Sequence, residues 1–128
     1  MVFNALPVVF ASSSAELVSS KDVVMFGDVA IGAQAIEIVK VTNLSQNIVQ
    51  NFVVEVSGDA GEFSTTTCNT LIFPGQSCTV SVTLTPQHYG AKKRKLNFDG
   101  VEVFNDGSTS DVSLSVTLVG TSDNPNKP

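Results

Sequence analysis

Apolar residues in this chain recur at every second position, and no window of eleven residues carries a helical stripe. That period restricts the chain to strands, because consecutive side chains of a strand point to opposite faces of the sheet. Phe52, Val54 and Val56 alternate with Val53, Glu55 and Ser57. Cys78, Val80, Val82 and Leu84 alternate with Thr79, Ser81, Thr83 and Thr85, and Val112, Leu114, Val116 and Leu118 with Ser113, Ser115, Thr117 and Val119. Each set predicts a strand with one buried face. Ala35 to Thr42 departs from the rule: Ile36 and Ile38 share one parity, Val39 and Val41 the other. That segment is expected either to have both faces covered or to contain a bulge that shifts its register.

Turn-forming residues punctuate these runs at Asn43 to Asn47, Ser57 to Gly61, Pro74-Gly75, Pro86 to Gly90, Asp99-Gly100 and Asn105 to Ser110. The spacing predicts an all-β sandwich or barrel. Asp99-Gly100, between KLNF and VEVF, is the strongest hairpin signal, since Asp-Gly accepts the positive dihedrals of a type I′ turn. Pro86 cannot donate to a ladder and is expected to end the strand begun at Cys78. The closing residues TSDNPNKP have no apolar anchor and read as a tail or linker.

A chain of 128 residues can bury one adequate core, and neither an internal repeat nor a second domain is visible. No apolar run approaches the roughly 20 residues of a membrane-spanning helix. The uncharged stretch Val2 to Ala15 is broken by Asn4, Pro7 and three serines. Membrane insertion is therefore not expected. Twelve acidic residues against seven basic ones give a net charge of −5, which disfavours binding to nucleic acid or anionic lipid, where cationic surface supplies most of the attraction.

LPVVFASSSA, near the N-terminus, is similar to the end of a secretory signal, with Val9 and Ala11 where a cleavage site would place them. No Lys or Arg precedes the apolar part, so residues 1–15 are read as a structural arm in preference to a residual leader. Val2, Phe3, Leu6, Val8, Val9 and Phe10 are too apolar to remain in water and are candidate interaction residues. The arm is expected either to add a strand to its own domain or to pair with the edge of a neighbouring copy, and Ser12 to Ser14 supply a hinge for both. Exchange between copies is the favoured reading.

FGDVAIG, VKVTN ending at Asn43, GEFSTTTCNTLIFPGQSCTVSVTLTPQHYGAKKRKLNF and VSLSVTLVGT follow one another as the strands of Ig-like domains do in Hydin and abnormal-spindle proteins. The chain resembles in particular their bacterial branch, choice-of-anchor D. The most specific part is C-x-x-L-x-x-G-x-S-C, present here with a slightly longer loop as CNTLIFPGQSC, followed by an alternating strand, Pro86 and Gly90. The resemblance covers about Glu16 to Thr121. It implies an Ig-like sandwich of about seven strands, related to pilus chaperones and major sperm protein, over residues 16–121, with 122–128 as a C-terminal tail. It implies no catalytic machinery and no cofactor.

Cys68 and Cys78 are the only cysteines, with nine residues between them that include a Pro-Gly turn. A structural zinc site needs four ligands, and two cysteines with the single His88 fall short. A redox pair usually sits closer together, at a helix start. A disulfide staple fits better and would stabilise by roughly 3 kcal/mol in the chain-entropy model. Two buried free thiols are the alternative. A bonded pair implies an oxidising location.

KKRK, Lys92, Lys93, Arg94 and Lys95, holds four of the seven basic residues. It is read as a localisation signal, a polyanion patch or an assembly contact on one side, and as a solvated strand entrance that discourages edge pairing on the other; the last is favoured. Alternation forbids Lys92 and Arg94 from sharing a face with Lys93 and Lys95. His88 has no nucleophile or acid arranged near it in sequence, so no catalytic residue and no metal ligand is assigned. Asn43-Leu44-Ser45 is a formal glycosylation sequon, but the resemblance implies that Asn43 closes a strand and caps the next turn. Tyr89 and Phe104 are expected to pack at the core or its rim.

The function expected is that of a non-catalytic structural or adhesive module in a cell-surface or extracellular assembly, whose partners are other protein subunits, above all copies of itself. A virion structural protein, such as a capsid decoration or tail module, is the alternative. An intracellular scaffold ranks third and an enzyme fourth.

Overall fold

The computed structural model of the protein describes residues 17–58 and 61–125. Among them run eight strands: β1 (Leu17–Ser19), β2 (Val23–Asp28), β3 (Ala35–Asn43), β4 (Ile48–Val56), β5 (Phe63–Thr65), β6 (Ser77–Leu84), β7 (Gly90–Val103) and β8 (Thr109–Ser122). They form two four-stranded sheets, one in the order β1-β3-β6-β5 and the other β2-β8-β7-β4. The alternation read from the sequence explains the layers. Val80, Val82 and Leu84 of β6 face Leu96 and Phe98 of β7 and Val116 and Leu118 of β8 in one core, all fully buried. Removing each such side chain from water stabilises the fold by about 1.5–3 kcal/mol. Phe26 and Phe63, with ring centroids 5.6 Å apart, join the two sheets at one end.

β2 pairs parallel with β8, whereas the other strand pairs are antiparallel. The chain thus crosses from one sheet to the other between Ser19 and Val23. β6 ends at Leu84, two residues before Pro86, as a residue without an N–H requires.

The hairpin does not fall at Asp99-Gly100. β7 continues through both residues, which pair with Ser113 and Val112 of β8. The turn lies instead at Phe104 to Ser108, where Gly107 adopts φ +88° and its N–H donates to Phe104 O at 2.9 Å. Asp106 Oδ1 accepts from Ser108 N–H and Oγ–H, which holds its carboxyl below the usual range. Gly100 has a packing reason: a Cβ there would stand 2.6 Å from Val49 Cγ1. β4 bulges over that position between Gln50 and Val53, with Asn51 at φ 55°.

β3 resolves the parity conflict of Ala35 to Thr42 differently from either expectation. Its register along β6 is unbroken from Ala35↔Leu84 to Thr42↔Ser77, so no bulge exists there. Val39 and Val41 face the core, while Ile36 (58 % exposed) and Ile38 (47 % exposed) face solvent.

Candidate functional site

β1 pairs with β3 only from Val41 to Asn43. Just beyond, Ser20 N–H donates to Lys40 O (2.8 Å), and Lys40 N–H donates to Ser20 Oγ (3.0 Å). The chain then leaves for the other sheet. Backbone groups alternate sides along a strand, so Ile38 and Ile36 share the orientation of Lys40, with N–H and C=O directed away from β6. No described strand pairs with that edge. The result is an open strand edge with two exposed isoleucines on its outer face, bounded at the rim by Lys21 Nζ to Glu37 Oε1 at 3.1 Å. Open edges normally carry Lys, Pro or a bulge against pairing. Between Ala35 and Ile38 this one carries only Glu37, on the inner side and already bridged.

Cys68 and Cys78 are disulfide-bonded, with Cα atoms 5.8 Å apart. Cys78 is buried on the inner face of β6, so the bond anchors the segment before β6 to the core. Within the closed loop, Ile72 exchanges backbone hydrogen bonds with Val49 (3.0 and 2.9 Å), covering part of the β4 edge.

Asn43 ends β3 and is fully buried. Its Nδ2 donates to Asn47 O (2.8 Å) and Ile72 O (3.0 Å), and its Oδ1 accepts from Ser45 N–H (3.0 Å) and Ser45 Oγ–H (2.7 Å). An amide engaged in this way caps the turn and is inaccessible to glycosylation. Asn47 Nδ2 continues the network to Glu102 Oε2 (2.8 Å), while the buried Oε1 of Glu102 has no partner among the described residues.

Lys93 and Lys95 are exposed and Lys92 points inward, so the faces separate as alternation requires. The solvated reading fails at Lys92, which is buried: its Nζ lies 3.0 Å from Glu62 Oε2 and donates to His88 O at 2.6 Å. Glu62 also accepts from the N–H groups of Gln87 (2.6 Å) and His88 (3.1 Å). Those bonds, the Gln87 one foremost, together with Lys92, outweigh desolvation and lower the Glu62 carboxyl from 4.5 to about 2. Arg94 Nη1 donates to Lys93 O, and Lys95 Nζ to Thr117 Oγ1. His88 and Tyr89 are exposed, and Phe104 is half-buried at the β7–β8 turn. Val2, Phe3, Leu6, Val8, Val9 and Phe10, with the hinge Ser12 to Ser14, lie outside the described residues.

Three groups escaped sequence reading: the Glu62–Lys92 pair, the Asn47–Glu102 contact and the open edge of β3. Only the edge had a local signal, the misplaced parity of Ile36 and Ile38. Among the described residues no three His, Cys, Asp or Glu side chains are grouped to hold a metal ion, and no helix is long and apolar enough to cross a membrane.

Two sheets with β1 and β2 divided between them define the class: a PapD-like, Ig-like β-sandwich. The family described as Abnormal spindle-like microcephaly-assoc'd, ASPM-SPD-2-Hydin (ASH) matches residues 14–108, and the chain belongs to that family. It is similar in structure to the ASH/PapD-like domain 7 of human CEP192, with a TM-score of 0.71, 14 % identity and 95 % of each chain covered. It is similar as well to the Vibrio cholerae VesB protease (TM-score 0.61, 16 % identity), covering 85 % of this chain but 32 % of that one. The YadV chaperone is a third neighbour, with a TM-score of 0.58, 16 % identity and coverage of 88 % and 55 %. No curated protein matches the chain by sequence. The partial overlap with a protease concerns the fold alone; the ASH/PapD-like sandwich is a non-catalytic fold of protein interaction.

Proposed function

We propose that this chain is a structural subunit of a cell-surface or extracellular assembly and associates with copies of itself through its N-terminal arm and a sheet edge. The observation that carries the reading is the open edge of β3, where no described strand pairs with the outward backbone of Ile36 and Ile38 beneath their exposed apolar side chains. Such an edge accepts an extended segment, with backbone hydrogen bonds supplying affinity and alternate side chains supplying specificity. The Cys68–Cys78 bond supports an oxidising location over a reducing cytosol.

Sedimentation velocity over a range of concentrations tests the reading. The full chain is expected to form oligomers that a chain lacking residues 1–14 does not form, while the truncated chain keeps a native β spectrum. A truncated chain that fails to fold at any concentration would make the arm an internal strand and remove this reading. Intact mass with and without reductant addresses the location: a gain of two hydrogens per chain is expected, and freely alkylated thiols in unreduced native material would point inside the cell.

A further inference from the structure

We propose that the open edge of β3 is the acceptor, and that the segment Leu6 to Phe10 of a second copy pairs antiparallel with it, placing Leu6, Val8 and Phe10 on the face of Ile36 and Ile38. The proposal rests on the arm-mediated association above and adds the acceptor, the register and the origin of the strand.

The second copy follows from chain direction. β1 runs antiparallel to β3 with Leu17 opposite Asn43, so β1 begins at the Asn43 end of that edge. Ile36 is at the far end of the strand, roughly 24 Å away at the rise of an extended chain. A chain's own arm would have to double back along the outside of its β1 to reach it. An arm arriving from another copy meets no such reversal, and head-to-tail donation of this kind repeats from copy to copy.

The register follows from Pro7. Its nitrogen has no hydrogen, so in an added strand it must face away from β3. Residues of the opposite parity, Leu6, Val8 and Phe10, then direct their N–H and C=O groups toward the edge. In a hydrogen-bonded antiparallel pair the two side chains lie on the same face. Three apolar arm residues thereby cover the exposed Ile36 and Ile38. Val2 to Ala15 contains no charge, so nothing in the arm opposes this contact.

Full-length chains carry the test. Ile36→Lys with Ile38→Lys alters only exposed outer-face side chains, and the double variant is expected to keep its melting temperature and sediment as a monomer, like the chain lacking residues 1–14. A mixture of differently tagged Val8→Cys and Ile38→Cys chains is expected to give a mixed disulfide, and a Val9→Cys and Ile38→Cys mixture, of the wrong parity, much less. If the arm deletion abolishes association but the double Lys variant still associates, or the Val8–Ile38 cross-link does not exceed the Val9–Ile38 one, the acceptor and register are wrong while the arm reading stands. If deletion leaves association intact, or the full chain is monomeric at every concentration, the arm reading falls and this inference with it. Should the double Lys variant not fold, the cross-links decide alone.

Discussion

Lys92 Nζ and Glu62 Oε2 lie 3.0 Å apart, and through them the turn before β5 is tied to the start of β7. Gln87 and His88 complete the clasp by donating their N–H groups to the same carboxylate. The clasp is electrostatic, so pH reaches it. The Glu62 carboxyl is lowered from 4.5 to about 2 in the folded chain, chiefly by the Gln87 hydrogen bond. A depressed carboxyl contributes stability that is complete above its unfolded value and is lost as pH falls through the folded one. Glu62→Gln is therefore expected to melt below wild type at pH 7. The difference should shrink from about pH 4.5 downward and vanish near pH 2. Thermal melts of both proteins at stepped pH check this, and a difference independent of pH would contradict it.

The burial of alternate residues on β6 gives a paired test. Val82 is fully buried and Thr83, its neighbour, looks outward. Val82→Asp is expected to cost about 3–5 kcal/mol, because an unpaired charge enters the core, whereas Thr83→Asp should cost less than about 1 kcal/mol. Urea denaturation measures both. Equal losses would mean that the strand is displaced by one residue.

Gly100 offers a test of packing without charge. Gly100→Ala puts a methyl group 2.6 Å from Val49 Cγ1, beneath the β4 bulge, and is expected to destabilise by about 1–3 kcal/mol. Denaturant unfolding of that variant, with a shifted midpoint and an unchanged slope, is the expected result. An unchanged midpoint would show that β4 moves aside freely.

Gly100 also shows where sequence reading stops. The alternations of Phe52 to Val56, Cys78 to Leu84 and Val112 to Leu118 were legible because burial of one sheet face imposes them residue by residue. Asp99-Gly100 carried the right local chemistry for a hairpin, yet its glycine answers to a strand fifty residues earlier, and nothing adjacent to it in sequence records that contact. Lys92 is hidden from the sequence for the same reason: KKRK looks solvated until the fold brings Glu62 beside its first residue. At β3 the sequence showed that Ile36 and Ile38 were out of phase with Val39 and Val41. It did not show that β1 stops short of them, because the point where the chain crosses between sheets is a property of the assembled sandwich.

Amide hydrogen exchange at Ile36 and Ile38 tests the central claim most directly. Both N–H groups face an edge that no described strand covers, so they should exchange rapidly in dilute monomer. At concentrations where the full chain associates, both are expected to become protected, and to lose protection again on dilution or when residues 1–14 are removed. Rapid exchange of Ile36 and Ile38 in the associated protein would contradict strand addition at this edge.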